Sequence, residues 1–251
     1  MNLRPSADKR FPLEIAERIA QALLEKLAPF CEWIPLPEIK PLPHPNGPYE
    51  GGPAIKIAGS IRRRRPDVGD IDLVAIPKLE QVTTGLFTTE TQRPRDSRLA
   101  VEFCALTGKL MARGDSIIRG HLDPSTLQHF NISTPVAPIG VDLYLCTPET
   151  WATTLLIRTG SAAHNIWLCQ RARAMGGKLH ADGSGLELPG QYDPREQRTV
   201  NTRRVAPRDE ADIFSALLQG PEVYTERFTP FGIRPELREV QGGIPAWMEC
   251  A

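Results

Sequence analysis

Three aspartates are the residues of this sequence that could most directly do chemistry. Asp70 and Asp72 lie two positions apart in the apolar run 70–76, and Asp142 lies in a second apolar run, 141–146. In a β-strand, residues two apart project from the same face, so the Asp70 and Asp72 carboxylates point the same way. Carboxylates grouped in this way bind hard divalent cations such as Mg²⁺. A third carboxylate from an adjacent strand would complete a site for two metal ions, the kind that activates a hydroxyl and holds a phosphate leaving group.

The segment before Asp70 favours phosphate as the group that is bound. Gly59 and Ser60 directly follow the short apolar run 54–58 and can offer backbone amides and a hydroxyl to phosphate oxygens. Four arginines follow at 62–65, and guanidinium groups match phosphate geometry in bidentate fashion. The alternative for such a run is a solvated charged surface. Its position between a Gly-Ser turn and an Asp-x-Asp strand favours phosphoryl transfer, which needs positioning and charge neutralisation.

The elements that must hold these residues are a mixture of helices and strands. Apolar residues at every fourth position from 15 to 27 predict an amphipathic helix that begins near Pro12 and ends near Ala28. Further helices are predicted at 97–112, 161–174 and 210–218, and strands at 54–58, 70–77 and 141–146. Because the strands do not alternate regularly with helices, the pattern predicts an α+β fold rather than a doubly wound sheet.

Two segments resist assignment to regular elements. Residues 35–53 contain seven prolines and three glycines, which predicts a long surface loop inserted between the first helix and the strand at 54–58. A proline-rich loop could also bind a protein partner, so this segment, 35–53, is an alternative partner site. The polar stretch 80–96 shows no clear period.

Composition limits the classes of function. Lys+Arg and Asp+Glu both number 30, so the formal net charge is zero, and any affinity for nucleic acid should be modest and strongly salt-dependent. No run is long and apolar enough for a membrane helix, and the start of the chain lacks a secretory leader, so we expect a cytoplasmic protein. The five cysteines are scattered and predict free thiols in a reducing compartment. His164 and His180 have no nucleophile or ligand pattern around them.

Five blocks of the sequence resemble the X-family DNA polymerases, the group of polymerase beta and bacterial PolX. The block 59–72, with its Gly-Ser, its arginines and its Asp-x-Asp, resembles the palm signature of that family. The other blocks resemble the helix before the palm, the strand of the third aspartate, the Thr-Gly-Ser…Asn nucleotide-binding turn and the C-terminal Glu-x-Asp-Ile-Phe stretch. They lie at 9–16, 140–143, 159–165 and 210–214, the last with Pro221-Glu222 after it.

The resemblance implies a polymerase beta-type nucleotidyltransferase palm at 1–148, with the proline-rich insertion at 33–53. A small C-terminal α/β nucleotide-binding subdomain of the fingers or thumb type would follow at 149–232, and then a tail at 233–251. Because the match begins near residue 9, the lyase and helix-hairpin-helix domains of the family are not expected in this chain.

The resemblance also implies roles for individual residues. Asp70 and Asp72 would bind both metal ions, Mg²⁺ or Mn²⁺, and Asp142 would bind the catalytic ion and take the proton of a primer 3′-hydroxyl. Asn165 would reach the minor-groove edge of a base, the alternative being an ordinary helix-surface amide. The peptide between Gly160 and Ser161 is often cis in the family. The full set of implied nucleotide-binding residues is Arg10, Gly59, Ser60, Arg63, Gly69, Gly160, Ser161 and Asn165.

The sequence departs from the family pattern at three places. Ile157 and Arg158 replace two aromatics that line the sugar pocket, which leaves the discrimination of deoxynucleotides from ribonucleotides open. Gly140 replaces an arginine two residues before the third aspartate, so an orienting contact is missing there. Trp167 and Cys169 stand where basic residues often contact the template, and Arg171 and Arg173 are the candidates to compensate; they belong to the same predicted helix.

The implied function is a metal-dependent DNA polymerase that adds dNMP from dNTP to a primer 3′-hydroxyl and releases pyrophosphate. It would fill short gaps in DNA repair as a monomer with weak intrinsic affinity for primer/template or gapped DNA. As a bacterial or phage-like protein, it would lie in the cytoplasm, with association with the nucleoid as a further possibility. The alternatives are a template-independent terminal nucleotidyltransferase, or a transferase acting on RNA or another hydroxyl acceptor. A degenerate, non-enzymatic nucleotide-binding scaffold is disfavoured because all three aspartates are present.

Overall fold

The computed structural model describes residues 10–34, 51–83, 89–106, 127–132, 138–189, 192–193, 198–199 and 202–218. The described chain forms two compact units, with the boundary between residues 147 and 148. Helices and strands occur in both units, and the main sheet of the first unit is mixed, so the predicted α+β class is confirmed. Among the described helices, none has the length and apolar character needed to cross a membrane.

The first unit is built around one mixed sheet. Its elements are β1 Phe11–Pro12, α1 Leu13–Leu27, β2 Trp33–Ile34, β3 Gly52–Pro53, β4 Ile55–Ile57, α2 Gly59–Arg62, β5 Asp67–Val68, β6 Asp70–Ala75, β7 Gln81–Thr83, β8 Thr89–Thr91, α3 Arg98–Leu106, β9 Leu127–Ile132 and β10 Ile139–Leu145. Short 3₁₀ turns lie at Ala28–Phe30 and Pro94–Asp96.

The central sheet has the strand order β4-β6-β10-β9. The pair β6 and β10 runs parallel, whereas β4 and β9 are antiparallel to their neighbours. On one face, Ile71 and Leu73 of β6 and Val141 and Leu143 of β10 are buried in the core that α1 and α3 cover. Because side chains alternate along a strand, the aspartates of β6 and β10 lie on the opposite face. Burial of the apolar face therefore determines which way the carboxylates point.

Helix α1 begins and ends where the sequence predicts, but its buried side differs slightly. Ala16, Ala20, Leu23 and Leu27 are the buried residues, and the predicted face positions 15 and 19 are only half-buried. Alanine has no side chain beyond Cβ, so positions 16 and 20 let the helix lie close to the sheet. The interpretation from long apolar residues alone placed the buried line one position too early in the first two turns.

The segments without clear signals contain short strands. The ends of the proline-rich segment pair with each other, β2 with β3, and residues 35–50 between them lie outside the described residues. In the polar stretch 80–96, β7 and β8 form a two-stranded ribbon. Strand β9 is absent from the sequence prediction, and the predicted helix 97–112 is described as far as Leu106. The tail 233–251 is also outside the described residues, so its assignment stays a prediction.

The second unit packs three helices around a small sheet. Its elements are α4 Trp151–Thr159, α5 Ala162–Ala174, β11 Lys178–Leu179, β12 Leu186–Pro189, β13 Tyr192–Asp193, β14 Arg198–Thr199, β15 Thr202–Val205 and α6 Glu210–Leu218. Strands β11, β12 and β15 form an antiparallel sheet, and the helices contribute Leu156, Leu168 and Phe214 to its core. The predicted helices at 161–174 and 210–218 are confirmed, whereas α4 was not predicted.

We expect Cys31 and Cys146 to be alkylated more slowly in the native protein than Cys169, although burial raises the pKa of the Cys169 thiol as well. Cys31 and Cys146 are buried free thiols, and Cys169 is half-exposed. Burial raises the pKa of the Cys31 thiol to about 12 and also raises that of Cys146. Because the thiolate is the reactive form, a raised pKa and burial both slow the reaction. Iodoacetamide labelling at pH 8 with mass spectrometry, against a denatured control, measures the order; equal rates at all three thiols would contradict it.

Candidate active site

The three aspartates lie on adjacent strands of the central sheet, at matching positions. Asp72 of β6 is the register partner of Asp142 on the parallel strand β10. Neighbouring strands are about 4.8 Å apart, so the two residues stand side by side. Asp70 projects from the same face of β6, one row away. The structure thus gathers the three carboxylates on the sheet face opposite the core.

Asp142 is the most enclosed of the three carboxylates. It is 1% exposed, whereas Asp70 and Asp72 are half-buried. Its Oδ1 atom is in contact with Nδ1 of His129, and its Oδ2 atom accepts a hydrogen bond of 3.3 Å from the Tyr144 hydroxyl. These two contacts explain how a carboxylate can lie inside the sheet without the large cost of an unpaired buried charge.

The carboxylates have the donor chemistry of a divalent-cation site. Carboxylate oxygens are the ligands that Mg²⁺ and Mn²⁺ prefer, and each oxygen has a second lone pair beside the one used in a hydrogen bond. In the part of the chain that the structure describes, no three His, Cys, Asp or Glu side chains converge closely enough to form a ready metal centre. The Asp142 oxygens are directed at His129 and Tyr144, so metal binding has to draw the three carboxylates together.

Gly59 is in direct contact with the carboxylate of Asp72. It opens the four-residue helix α2 with a φ of 59°, and a Cβ atom at this position would lie 1.9 Å from Oδ2 of Asp72. The preceding residue, Ala58, donates its backbone N–H to the Asp72 carbonyl at 2.8 Å. The turn that follows β4 is therefore fastened to the middle of the aspartate strand, and only glycine fits there without displacing the carboxylate.

The predicted phosphate-binding residues of this segment have different surroundings. The Ser60 hydroxyl oxygen is buried and, among the described residues, has no hydrogen-bond partner, which suits a phosphate oxygen as its partner. The four arginines divide into two pairs, since Arg62 and Arg63 are half-buried and Arg64 and Arg65 are exposed. Arg64 forms an ion pair with Glu17 of α1. The surface-charge interpretation thus fits Arg64, and Arg63 is the more enclosed candidate.

Arg10 and Gly69 are neighbours in space although they are distant in sequence. The pairing of β1 with β5 places Arg10 beside the strand that ends just before Gly69. A Cβ atom on Gly69 would lie 3.6 Å from a terminal nitrogen of the Arg10 guanidinium. The guanidinium is also 3.8 Å from Asp67, and both of these side chains are about half-exposed. The structure thus groups the two predicted nucleotide-binding residues at one edge of the first unit.

The remaining predicted nucleotide-binding residues lie in the second unit, at the turn between α4 and α5. The peptide bond between Gly160 and Ser161 is cis, as the resemblance implies, and Gly160 has a φ of 72°. Ser161 caps α5 by accepting the backbone N–H of His164 at 3.4 Å. Asn165 donates its side-chain amide to the Ile157 carbonyl at 2.8 Å. Its Oδ1 atom is buried and unpaired within the described residues, so this acceptor could still serve a ligand.

The positions that depart from the family have structural roles in the second unit. Ile157 is buried in the core, and Arg158 donates to the Asp182 carbonyl at 2.7 Å. Trp167 and Cys169 pack against the same core. Arg171 donates to the Leu217 carbonyl at 2.9 Å and so holds α6, whereas Arg173 is exposed and remains the candidate for a template contact.

His129 is the site residue that sequence reasoning missed. It lies on β9, and its register partner on β10 is Asp142. The available signal was a short run, 127–132, followed after the sequence Ser-Thr-Pro by the strand at 139, a spacing typical of a hairpin. Polar residues at 128, 129 and 131 obscured the alternation of this strand, because part of one face belongs to the site rather than to the core.

Comparison with known proteins supports the predicted kinship. Residues 154–219 match the family model of the DNA polymerase beta thumb. The fold is similar to that of polymerase beta from Leishmania infantum, solved as a ternary P/T complex, with 22% sequence identity and a TM-score of 0.54. The similarity covers 84% of this chain and 74% of the Leishmania chain. No curated protein sequence matches this one. Residues 154–219 therefore resemble a DNA polymerase beta thumb, and the fold of the chain is similar to that of a polymerase beta.

Proposed function

We propose that this chain is a metal-dependent nucleotidyltransferase that adds dNMP from dNTP to a primer 3′-hydroxyl and releases pyrophosphate. One observation carries the proposal: Asp142 stands beside Asp72 in the register of two parallel strands, with Asp70 on the same face. The turn at Gly59 lies against that group of carboxylates. The similarity to a polymerase solved as a ternary P/T complex supports the same reaction.

In this proposal, each carboxylate has a distinct task. Asp70 and Asp72, half-exposed on one face, would bind two Mg²⁺ or Mn²⁺ ions, and Asp142 would share one of them. Such ions, when bound, lower the pKa of an attacking hydroxyl and neutralise the charge of a triphosphate. Asp142 would accept the proton of the primer 3′-hydroxyl, and its side chain is held in place by His129 and Tyr144.

The triphosphate would be held by the turn before the aspartate strand. Ser60 offers a buried hydroxyl, Arg63 a half-buried guanidinium and the amides near Gly59 further donors. Arg10, lying over Gly69, would be an additional phosphate ligand. In the second unit, Gly160 and Ser161 would contact the sugar, and the unpaired Oδ1 atom of Asn165, in the first turn of α5, would accept from a base edge.

The biological task that fits best is the filling of short gaps in DNA repair by a monomer. A chain with 30 basic and 30 acidic residues has no general attraction to a polyanion, so its grip on primer/template or gapped DNA should be weak. Binding of a protein partner by the proline-rich segment stays a prediction, since residues 35–50 are outside the described structure.

A second candidate function, the use of ribonucleotides or of another acceptor, follows from Ile157 and Arg158, which replace the two aromatics of the family's sugar pocket. Ile157 is buried in the core, and Arg158 is tied to the Asp182 carbonyl, so neither presents an aromatic ring to a sugar. A site of this kind can use ribonucleotides, or extend an RNA end or another hydroxyl acceptor. Template-independent terminal transfer is compatible with the same chemistry and differs only in its requirement for a template.

Primer extension decides among these possibilities. We expect a labelled primer on gapped DNA to be extended with dNTPs and Mg²⁺ or Mn²⁺, and EDTA to stop the reaction completely. Parallel reactions with single-stranded primer, with an RNA primer and with NTPs separate templated synthesis, terminal transfer and ribonucleotide use. Since phosphate contacts are salt-sensitive, extension should decline as salt is raised. Failure to extend any primer with any nucleotide would overturn the proposal.

A further inference from the structure

The carboxylate of Asp142 is held on both of its oxygens by side chains of the same sheet. Nδ1 of His129 contacts Oδ1, and the hydroxyl of Tyr144 donates to Oδ2 at 3.3 Å. The His129 side chain is 13% exposed and that of Asp142 is 2% exposed, so water does not screen their contact. The Tyr144 contact is long for an O–H···O hydrogen bond, which makes His129 the stronger partner.

Strand register brings His129 beside Asp142. Across the three strands β6, β10 and β9, Asp72, Asp142 and His129 form one row of partners. Asp70, Gly140 and Asn131 form the next row. Partners in a row project from the same face of the sheet, so the imidazole is directly adjacent to the Asp142 carboxylate.

Gly140 provides the space that the imidazole occupies. A Cβ atom at position 140 would lie 3.2 Å from Cε1 of His129 and 3.8 Å from Cβ of Asp70. The first distance is tighter than ordinary van der Waals contact, so a larger residue at 140 would push the ring away from Asp142. The small residue on β10 and the histidine on β9 are therefore parts of one arrangement.

An imidazole with a proton on Nδ1 donates to Oδ1 and uses one of the lone pairs on that oxygen. The Tyr144 hydroxyl uses one lone pair on Oδ2, so each oxygen keeps another for a cation or for a substrate hydroxyl. The terminal torsion of an aspartate is soft, and a donor on each oxygen limits its rotation. Groups that hydrogen-bond to ligating carboxylates orient them, and their loss typically costs about 10- to 100-fold in metal affinity or activity.

We propose that His129 is the positioning residue of Asp142, supplying from the neighbouring strand the contact that orients the third carboxylate of the site. This inference rests on the proposed function for its kinetic consequence, but its consequence for metal binding can be measured independently. A merely structural role, the neutralisation of a buried charge, would affect stability without a selective effect on the metal or on turnover.

The test compares His129→Leu with His129→Asn. Leucine has no donor, whereas the Nδ2 amide of asparagine lies close to the place of Nδ1 and can still donate to Asp142. We expect His129→Leu to lower kcat about 10- to 100-fold and to weaken Mn²⁺ binding, followed by electron paramagnetic resonance, by a similar factor. The KM for dNTP should stay within about twofold, and His129→Asn should recover most of both losses.

Two controls keep the outcomes separate. His180→Leu removes a histidine that contacts Glu187 in the second unit and should leave kcat and Mn²⁺ binding unchanged. Thermal unfolding of each variant shows whether the sheet is intact, and His129→Asn remains informative if the leucine variant fails to fold. Unchanged or tighter Mn²⁺ binding in folded His129→Leu, or no recovery in His129→Asn, would overturn the inference. If the wild type transfers no nucleotide, the proposed function fails, and the Mn²⁺ measurements still decide the role of His129.

Discussion

Asp72→Asn is expected to reduce nucleotide transfer by about three orders of magnitude while the protein stays folded. The substitution keeps the size of the side chain but removes the charge at the centre of the carboxylate group, next to Asp142 and Gly59. A metal ion contributes several kcal/mol of charge stabilisation to the transition state, and each 1.36 kcal/mol changes a rate tenfold, so the loss of about 4 kcal/mol gives this factor.

The measurement is single-turnover primer extension, with Mn²⁺ binding and thermal unfolding as companion readouts. Asp72→Asn should bind Mn²⁺ much more weakly than the wild type and unfold at a similar temperature. The matched control is Asp96→Asn, which removes a carboxylate from the same unit whose partner is the nearby Arg95. Asp96→Asn should retain full activity. Persistent extension by Asp72→Asn in a contaminant-free preparation would show that this carboxylate is not a metal ligand.

Gly59→Ala is expected to abolish most of the activity and to destabilise the first unit. An L-residue in the left-handed region costs roughly 1–2 kcal/mol, and Gly59 has a φ of 59°. The added Cβ atom would lie 1.9 Å from Oδ2 of Asp72, so the carboxylate has to rotate away or the turn has to move. Either response separates the turn at Gly59 from the aspartate that it touches.

Gly52→Ala is the natural control for this variant. Gly52 is in the same unit, on β3, and a Cβ atom there would meet nothing within 4 Å. We expect Gly52→Ala to match the wild type in extension rate, Mn²⁺ affinity and unfolding temperature. Gly59→Ala should unfold at a lower temperature and lose both Mn²⁺ affinity and extension. Wild-type activity in Gly59→Ala would mean that the turn and Asp72 do not act together.

Several features of the site could be predicted from sequence because they depend on local rules. The i, i+2 spacing of Asp70 and Asp72 is enough to place both on one strand face, provided that the alternate residues are apolar. Ile71 and Leu73 are those residues, and both are fully buried. The apolar run around Asp142 suggested a third carboxylate, and the resemblance to X-family polymerases added the turn after Thr159, which no local rule connects to the aspartates.

Other features could not be predicted because tertiary contacts override local preference. Helix α4 contains three threonines and an isoleucine, which disfavour helices in isolation, yet it is buried along nearly its whole length and is stabilised by packing. Strand β9 places His129 in the site. The polar residues of this strand hide the alternation of apolar and polar positions by which a strand is recognised in a sequence. The pairing of β2 with β3 joins the two ends of a proline-rich segment and depends on contacts across 18 residues.

Gly59 shows how the structure adds to what the sequence alone says about a residue. From sequence, it is a residue that can make a tight turn and offer amides to phosphate. In the structure, Oδ2 of Asp72 occupies the space that a side chain at position 59 would need. No pattern along the chain relates residue 59 to residue 72 in this way, because the contact arises from the antiparallel pairing of β4 with β6.

The parallel pairing of β6 with β10 also determines when, during folding, the three aspartates come together. Asp72 and Asp142 are about 70 positions apart in the sequence, and contacts of such separation form slowly because a long loop has to close first. Strand β10 is hydrogen-bonded on both sides, and central strands of this kind generally open only when the whole unit unfolds. Amide protons of β10 should therefore be among the slowest to exchange with deuterium. A nascent or partly unfolded chain would hold Asp70 and Asp72 without Asp142, so the proposed site stays incomplete until the last of these strands is in place.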